Sequence, residues 1–274
     1  MSTPLLVVLP FCKKDVDLAA QIIRWMAEIN TPKAAAILLA SDDEVPSERV
    51  IEMAREAKAT FNFVKAMMVP VTEGGWPPNK MFLQVAYQIQ DQYRWPFFWM
   101  EPDCVPLVPD WLEQLENVYG DCPKRFMGPL ITQDKQPELP KVHLTGCSIY
   151  PPDCYGIIEN FQSVRSGQDA WDIGCAEAVV PKSADTKLIQ HYWGLPELPP
   201  VFVESREADS PKNFLTLNFL KPEAVIFHRD KTHSLLPLLR ALRADCVPVV
   251  GKALEEAFGE KLLTTPLPAE IEVP

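Results

Sequence analysis

Apolar and polar residues alternate along the first part of the chain in blocks whose period keeps switching. "LLVVLP" (Leu5–Pro10) is a continuous apolar run, the pattern of a strand covered on both faces. Asp15 then offers a helix N-cap, and Leu18, Ile22, Met26 and Ile29 recur at helical spacing. "AAAILLA" (Ala34–Ala40) predicts a second buried strand ending in "SDDE", Ser47 to about Ala57 a second helix, and "FNFVKAMMV" (Phe61–Val69) a third strand. A loop of turn residues, "TEGGWPPNK", leads into a helix with Met81, Phe82, Val85, Ala86 and Ile89 on its apolar face. "PFFWM" reads as the fourth strand. In "VPDWLEQLENVYG", Asp110 and Glu113 form a capping box, which gives Asp110 a structural task and removes it from the candidate catalytic residues.

This β-α-β-α-β order predicts an α/β fold with a mostly parallel central sheet flanked by helices. Beyond Gly120 the pattern loosens, and the strands "RFMGPLI", "VHLTGCSIY" and "AVIFH" are separated by longer polar loops. The expected organisation is one domain with no internal linker. Residues 1–120 form a Rossmann-like nucleotide-binding half, residues 121–262 complete the sheet and build the acceptor and catalytic side, and residues 263–274 are a loosely held tail.

Composition narrows the function classes. A net charge of −11, from 37 acidic and 26 basic residues, argues against a large nucleic-acid footprint. The 28 prolines form no linker-like run and read as stops and turns between short elements. Seven scattered cysteines without a CxxC pair speak against both a disulfide framework and a structural zinc site, and predict a reducing, cytoplasmic setting. No apolar run approaches the roughly 18 residues that would span a bilayer, so no membrane insertion is expected. "MSTPLLVVLPF" lacks the basic start of a signal peptide.

In an open parallel sheet, ligands bind beyond the carboxyl ends of the strands. The segments found there are "FCKKD", "SDDE" and "EPD", a set of lysines and carboxylates that suits a charged ligand and a metal. No GxGxxG follows the first strand and no GxxxxGK[ST] occurs, which weakens dinucleotide and P-loop readings.

"EPDCVPLVPDWL" consists of carboxylate-x-Asp after an apolar strand, then Val-Pro, then Pro-Asp-Trp-Leu opening a helix. It resembles the metal-binding DxD segment of GT-A fold glycosyltransferases, with Glu101 standing where the first Asp is usual. The resemblance implies a nucleotide-diphosphate sugar donor and a Mn²⁺ or Mg²⁺ ion that offsets the charge of the departing diphosphate. Asp103 would be the direct metal ligand, and Glu101 would reach the ribose or a metal-bound water. "VIFHRDKTHSL" resembles the C-terminal segment of the same enzymes, which implies His228 as a further metal ligand and Arg229 or Lys231 as the diphosphate contact. His233 is the fallback ligand, and His143 and His191 are left as structural. Pro10, Phe11, Lys13 and Asp15 fall where such enzymes hold the nucleotide, Asp42 where they contact base or ribose, and Asn79 and Lys80 where they approach the donor. Gly146 and Cys147 would lie close to the donor sugar. An inverting transfer needs a base for the acceptor hydroxyl. "SGQDAWDIGCAEAV" supplies Asp172 for that role or for acceptor contact, with Trp171 stacking on a sugar face. Asp169 is a second candidate that also resembles an N-cap before Ala170.

The expected activity is metal-dependent transfer of a sugar from a nucleotide-diphosphate sugar to a hydroxyl acceptor. Alternatives are the same chemistry on a hydroxymethylated DNA base, a sugar-1-phosphate nucleotidyltransferase, and a non-catalytic nucleotide-sugar-binding protein. The first rests on a likeness of "FHRDKTHSLL" to phage enzymes and would need a basic groove from residues such as Arg125, Lys141, Lys182, Lys187, Arg240 and Arg243. The second would want a glycine-rich loop after the first strand, and "LPFCKKD" has no glycine.

Overall fold

The first apolar run forms β1 (Leu6–Phe11), every residue of which is buried. The chain continues through α1 (Val16–Glu28), β2 (Ala34–Asp42), α2 (Ser47–Ala57), β3 (Phe61–Val69), α3 (Pro77–Gln88) and β4 (Phe97–Trp99). After β5 (Cys104–Pro106) and α4 (Trp111–Gly120) come four short strands: β6 (Phe126–Gly128), β7 (Leu130–Thr132), β8 (Val142–Leu144) and β9 (Ile149–Tyr150). Four short helices follow: α5 (Tyr155–Ile158), α6 (Gln162–Ser166), α7 (Trp171–Gly174) and α8 (Ala176–Val179). The last strands are β10 (Ser183–Asp185), β11 (Ile189–His191), β12 (Phe202–Ser205), β13 (Asn213–Thr216) and β14 (Ile226–His228). This computed structural model describes residues 4–32, 34–70, 77–132, 142–191, 202–205, 213–216, 220–229, 235–236 and 239–240. Lys231, His233, Lys141, Arg243 and the expected tail 263–274 lie outside the described residues.

Two compact units result, one of residues 1–102 and 112–186, the other of residues 103–111 and 187–274. The first holds a seven-stranded sheet in the order β10-β6-β9-β4-β1-β2-β3. Its strands pair in parallel except at β9, which is antiparallel to both β4 and β6. The fold is therefore the expected α/β class, with a mostly parallel sheet flanked by helices. Leu6 and Val8 of β1 share one apolar cluster with Phe82, Val85 and Ala86 of α3, and with Trp99 and Trp171. Val7 and Leu9, which point the other way, are equally buried, so β1 within the sheet is covered on both faces as its continuous apolar run requires. The second unit holds a three-stranded sheet, β11-β14-β5, and the antiparallel pair β12-β13.

Two predicted strands break in the middle. "RFMGPLI" divides at Pro129, which has no N–H to donate to a ladder, and β6 and β7 end up in different sheets. "VHLTGCSIY" divides at Thr145–Ser148, where the Ser148 hydroxyl donates to the Thr145 carbonyl at 2.7 Å and the Thr145 hydroxyl to the Cys147 carbonyl at 3.1 Å. Side-chain bonds of this kind compete with strand pairing and favour a turn.

Candidate functional site

From β1 the chain runs outward through β2 to β3, then returns to the other side of β1 as β4. The order thus reverses between β1 and β4, and their carboxyl ends flank the crevice where open α/β sheets take ligands. At the β1 side, Pro10 and Phe11 are buried within the strand opposite Ala40 and Ser41. Cys12 to Asp15 close into a turn in which the Cys12 N–H donates to Asp15 Oδ1 at 2.6 Å. Asp42, buried at the end of β2, accepts the Val45 N–H at 3.2 Å and the backbone N–H groups of Lys13 and Glu44. Burial pushes its carboxyl up despite those donors. Asp15 and Asp42 therefore brace the loop, and Lys13 and Lys14 are the exposed cations that the loop presents.

At the β4 side stands a pair of carboxylates. A Cβ added to Gly146 would lie 2.6 Å from Glu101 Oε1 and 3.1 Å from the edge of Trp171, so only a glycine lets Glu101 approach the backbone here. Asp172, in the first turn of α7, accepts backbone N–H groups from Gly146 and from Ile173, the latter at 3.1 Å. Burial, reinforced by the negative charge of Glu101, pushes the Asp172 carboxyl up to about 7. Below the pair, Tyr150 donates to the Gly146 carbonyl at 3.0 Å and receives the Trp171 indole N–H at 3.3 Å. Burial and the Asp172 charge raise the Tyr150 phenol well above its ordinary value, which keeps it a donor. Two carboxylates, one of them poised to exchange a proton near neutrality, converge on one backbone glycine.

Several expected contacts take other roles. Asn79 is buried, and its whole amide is spent on the chain around α7. Its Nδ2 donates to the carbonyls of Val164 (2.9 Å) and Asp169 (2.7 Å), and its Oδ1 accepts the Trp171 N–H at 3.0 Å. It fastens the segment that carries Asp172. Asp169 provides its carbonyl to that fastening and is not the N-cap of α7, a position that Ala170 takes. Trp171 is buried and stacks on Phe82 at 4.8 Å and 12° between planes, so its ring faces the core in place of the expected sugar. Lys80 is half-exposed beside Asn79, and Cys147 is fully buried in the turn after β8.

A second cluster lies in the other unit. β14 runs antiparallel to β5 with His228 opposite Cys104, and parallel to β11 with His191 opposite His228. One ligand atom from each of Asp103, Cys104 and His228 falls within 4.8 Å of the others, all three residues being buried. His228 Nε2 stands 3.4 Å from Asp103 Oδ1, and His228 Nδ1 stands 2.8 Å from His191 Nδ1. Arg229 follows with φ at 88°, rare for a bulky side chain, and its N–H donates to the Asp103 carbonyl at 3.2 Å. An imidazole and a carboxylate at this spacing fit one divalent ion. Asp103 and His228, both singled out in the sequence, thus stand together, beside Cys104, which the sequence did not single out, and His191, which was left as structural. The available signal was the repeated strand ending, "IQH" at Ile189–His191 and "IFH" at Ile226–His228.

No family model and no curated protein matches the chain. Among solved structures, the glycosyltransferase GlyE of Streptococcus pneumoniae aligns with a TM-score of 0.47 and 8% identity, over 68% of this chain and 45% of its own. TarS of S. aureus aligns with a TM-score of 0.47 and 10% identity, over 94% of this chain and 43% of its own. A Bacillus anthracis protein assigned as a glucose-1-phosphate thymidylyltransferase gives 0.47 and 9%, over 67% of this chain and 87% of its own. The chain spans less than half the length of GlyE and of TarS.

Proposed function

We propose that the chain is a glycosyltransferase that moves a sugar from a nucleoside-diphosphate sugar to a hydroxyl acceptor. The observation that carries this reading is the Glu101–Asp172 pair, set against Gly146 beyond the carboxyl end of β4. A carboxyl near 7 can take the proton of an attacking hydroxyl at neutral pH, when an ordinary aspartate would be too weak a base. In this reading Asp172 is the base. Glu101 raises its proton affinity and lies where a donor ribose or sugar would meet it. Lys13 would meet the diphosphate from the loop after β1, which Asp42 and Asp15 keep in place.

Asp103 and His228 would hold a divalent ion, which when bound supplies the charge that offsets the departing nucleoside diphosphate. An imidazole among the donors favours a transition ion such as Mn²⁺ over Mg²⁺, which prefers oxygen ligands and retained water. For the acceptor we favour a free hydroxyl over a DNA base. Arg125, one of the cations a basic groove would use, is in an ion pair with Asp153, and Lys124 donates to the Pro181 carbonyl at 2.8 Å.

Product analysis tests this function. Incubated with a panel of nucleoside-diphosphate sugars and Mn²⁺, the protein is expected to release nucleoside diphosphate, slowly to water and faster once an acceptor is supplied. Release of pyrophosphate from a nucleoside triphosphate and a sugar 1-phosphate would make it a nucleotidyltransferase instead. Binding without either product would make it a non-catalytic nucleotide-sugar-binding protein.

A further inference from the structure

Within the cluster of Asp103, Cys104 and His228, Cys104 is the member that the metal reading above does not use. It is not placed by chance of sequence. β5 and β14 are antiparallel neighbours with Cys104 directly opposite His228, and residues opposite each other leave the same face of a sheet. The thiol and the imidazole therefore share a face, and Asp103 at the strand end brings its carboxylate to within 4.8 Å of both. Cys104 is fully buried and both Asp103 and His228 are 3% exposed, so competing water is largely kept away.

Two distances favour ligation over a simple Asp–His pair. The 3.4 Å from His228 Nε2 to Asp103 Oδ1 is longer than an ordinary N–H···O bond of about 2.7–3.2 Å. Bonds of about 2.0–2.3 Å to one tetrahedral ion set its donors about 3.3–3.8 Å apart, a spacing that the 3.4 Å between His228 and Asp103 already meets and that Cys104, within 4.8 Å of both, reaches by a small shift. His191 completes the arrangement. Its Nδ1, 2.8 Å from His228 Nδ1, can accept that nitrogen's proton and so leave the His228 Nε2 lone pair turned toward Asp103.

We propose that Cys104 gives a thiolate ligand to the ion held by Asp103 and His228, with His191 as the positioning residue behind His228. The centre would then select thiophilic ions such as Zn²⁺ or Co²⁺ over Mg²⁺, since thiolate and imidazole are soft donors and Mg²⁺ takes oxygen. This inference rests on the metal reading above, and the experiment separates the two.

The full chain, stripped of metal with a chelator, is titrated with Co²⁺ and followed by absorbance. The expected result is one equivalent bound with a near-ultraviolet thiolate-to-cobalt charge-transfer band. Cys104→Ser should lose that band yet keep the weaker visible bands of bound Co²⁺, and His191→Ala should weaken Co²⁺ binding by about 10–100-fold while keeping the band. Visible bands without a charge-transfer band in the wild type, or a band that survives in Cys104→Ser, would overturn the thiolate ligand while leaving the Asp103–His228 site standing. No Co²⁺ binding at all would overturn both. Should Cys104→Ser not fold, X-ray absorption of the Zn²⁺-loaded wild type decides. A sulfur neighbour at about 2.3 Å supports the ligand, and a shell of nitrogen and oxygen only contradicts it.

Discussion

Asp172→Asn is expected to lower sugar transfer by about 10²–10⁴-fold, the usual contribution of a positioned general base, while leaving donor binding nearly unchanged. The same variant should be more stable than the wild type above neutral pH. Burial and the Glu101 charge hold the Asp172 carboxyl at about 7 in the folded chain, against about 4 when it is unfolded. Between those values the folded state keeps a proton that the unfolded chain has lost. Stability therefore falls as the pH rises from about 4 to about 7, and the loss is complete above 7. Asparagine removes that slope, and its Oδ1 can still accept a backbone N–H from Gly146 or Ile173. Activity in the wild type should rise through about pH 7 as the base ionises. Thermal melts and initial rates across pH 5–9 check both halves, and a variant that is inactive with an unaltered pH–stability curve would show that Asp172 does not carry the raised carboxyl.

The second large effect falls on Asn79. Asn79→Ala removes the side chain that bridges the Val164 and Asp169 carbonyls and the Trp171 N–H. Each buried backbone group left unsatisfied costs about 1–3 kcal/mol. The Val164 carbonyl keeps the Gly167 N–H at 3.1 Å, so the loss is concentrated on the other two groups. A destabilisation of about 2–5 kcal/mol follows, or a fall in melting temperature of roughly 5–15 °C. Asn79→Asp should be no better, because it turns a second oxygen toward two carbonyls that need a donor. Calorimetry reads the effect. An Asn79→Ala protein that melts with the wild type but no longer binds donor would restore Asn79 to the donor contact that the sequence resemblance implies.

The elements legible in the sequence were those whose burial is written locally. "LLVVLP", "AAAILLA" and the apolar faces of α1, α2 and α3 each specify their own element, because a doubly covered strand and an amphipathic helix differ in period within a few residues. The later strands were less legible: β6 and β7, like β8 and β9, are each a single apolar run divided between sheets by Pro129 or by the hydroxyl bonds around Thr145. Of the candidate site, the carboxylates at the end of β4 were visible because a buried strand rarely ends in two acids without reason. Asp172 was visible by residue type but not by environment, since its raised carboxyl depends first on burial and then on Glu101 arriving from a distant part of the chain, both set by tertiary packing. The hydrogen bonds of Asn79 were hidden for a related reason. A polar residue at a helix start looks the same in sequence whether it faces a ligand or closes a buried loop. Cys104 and His191 stayed hidden because strand register, which sets them beside His228, is fixed by tertiary pairing and not by spacing along the chain.

Donor binding is the property on which the proposed function stands. Thermal melts of the full chain are recorded with a panel of nucleoside-diphosphate sugars, each with and without Mn²⁺ or Co²⁺, for the wild type and for Asp103→Asn. A ligand that binds only the folded state at 100 times its Kd stabilises it by about 2.7 kcal/mol. One nucleotide class is expected to raise the wild-type melting temperature by several degrees, the ion to enlarge the shift, and Asp103→Asn to lose the ion-dependent part. A wild-type protein whose melting temperature no nucleoside-diphosphate sugar moves, with or without the ion, would contradict the proposed function.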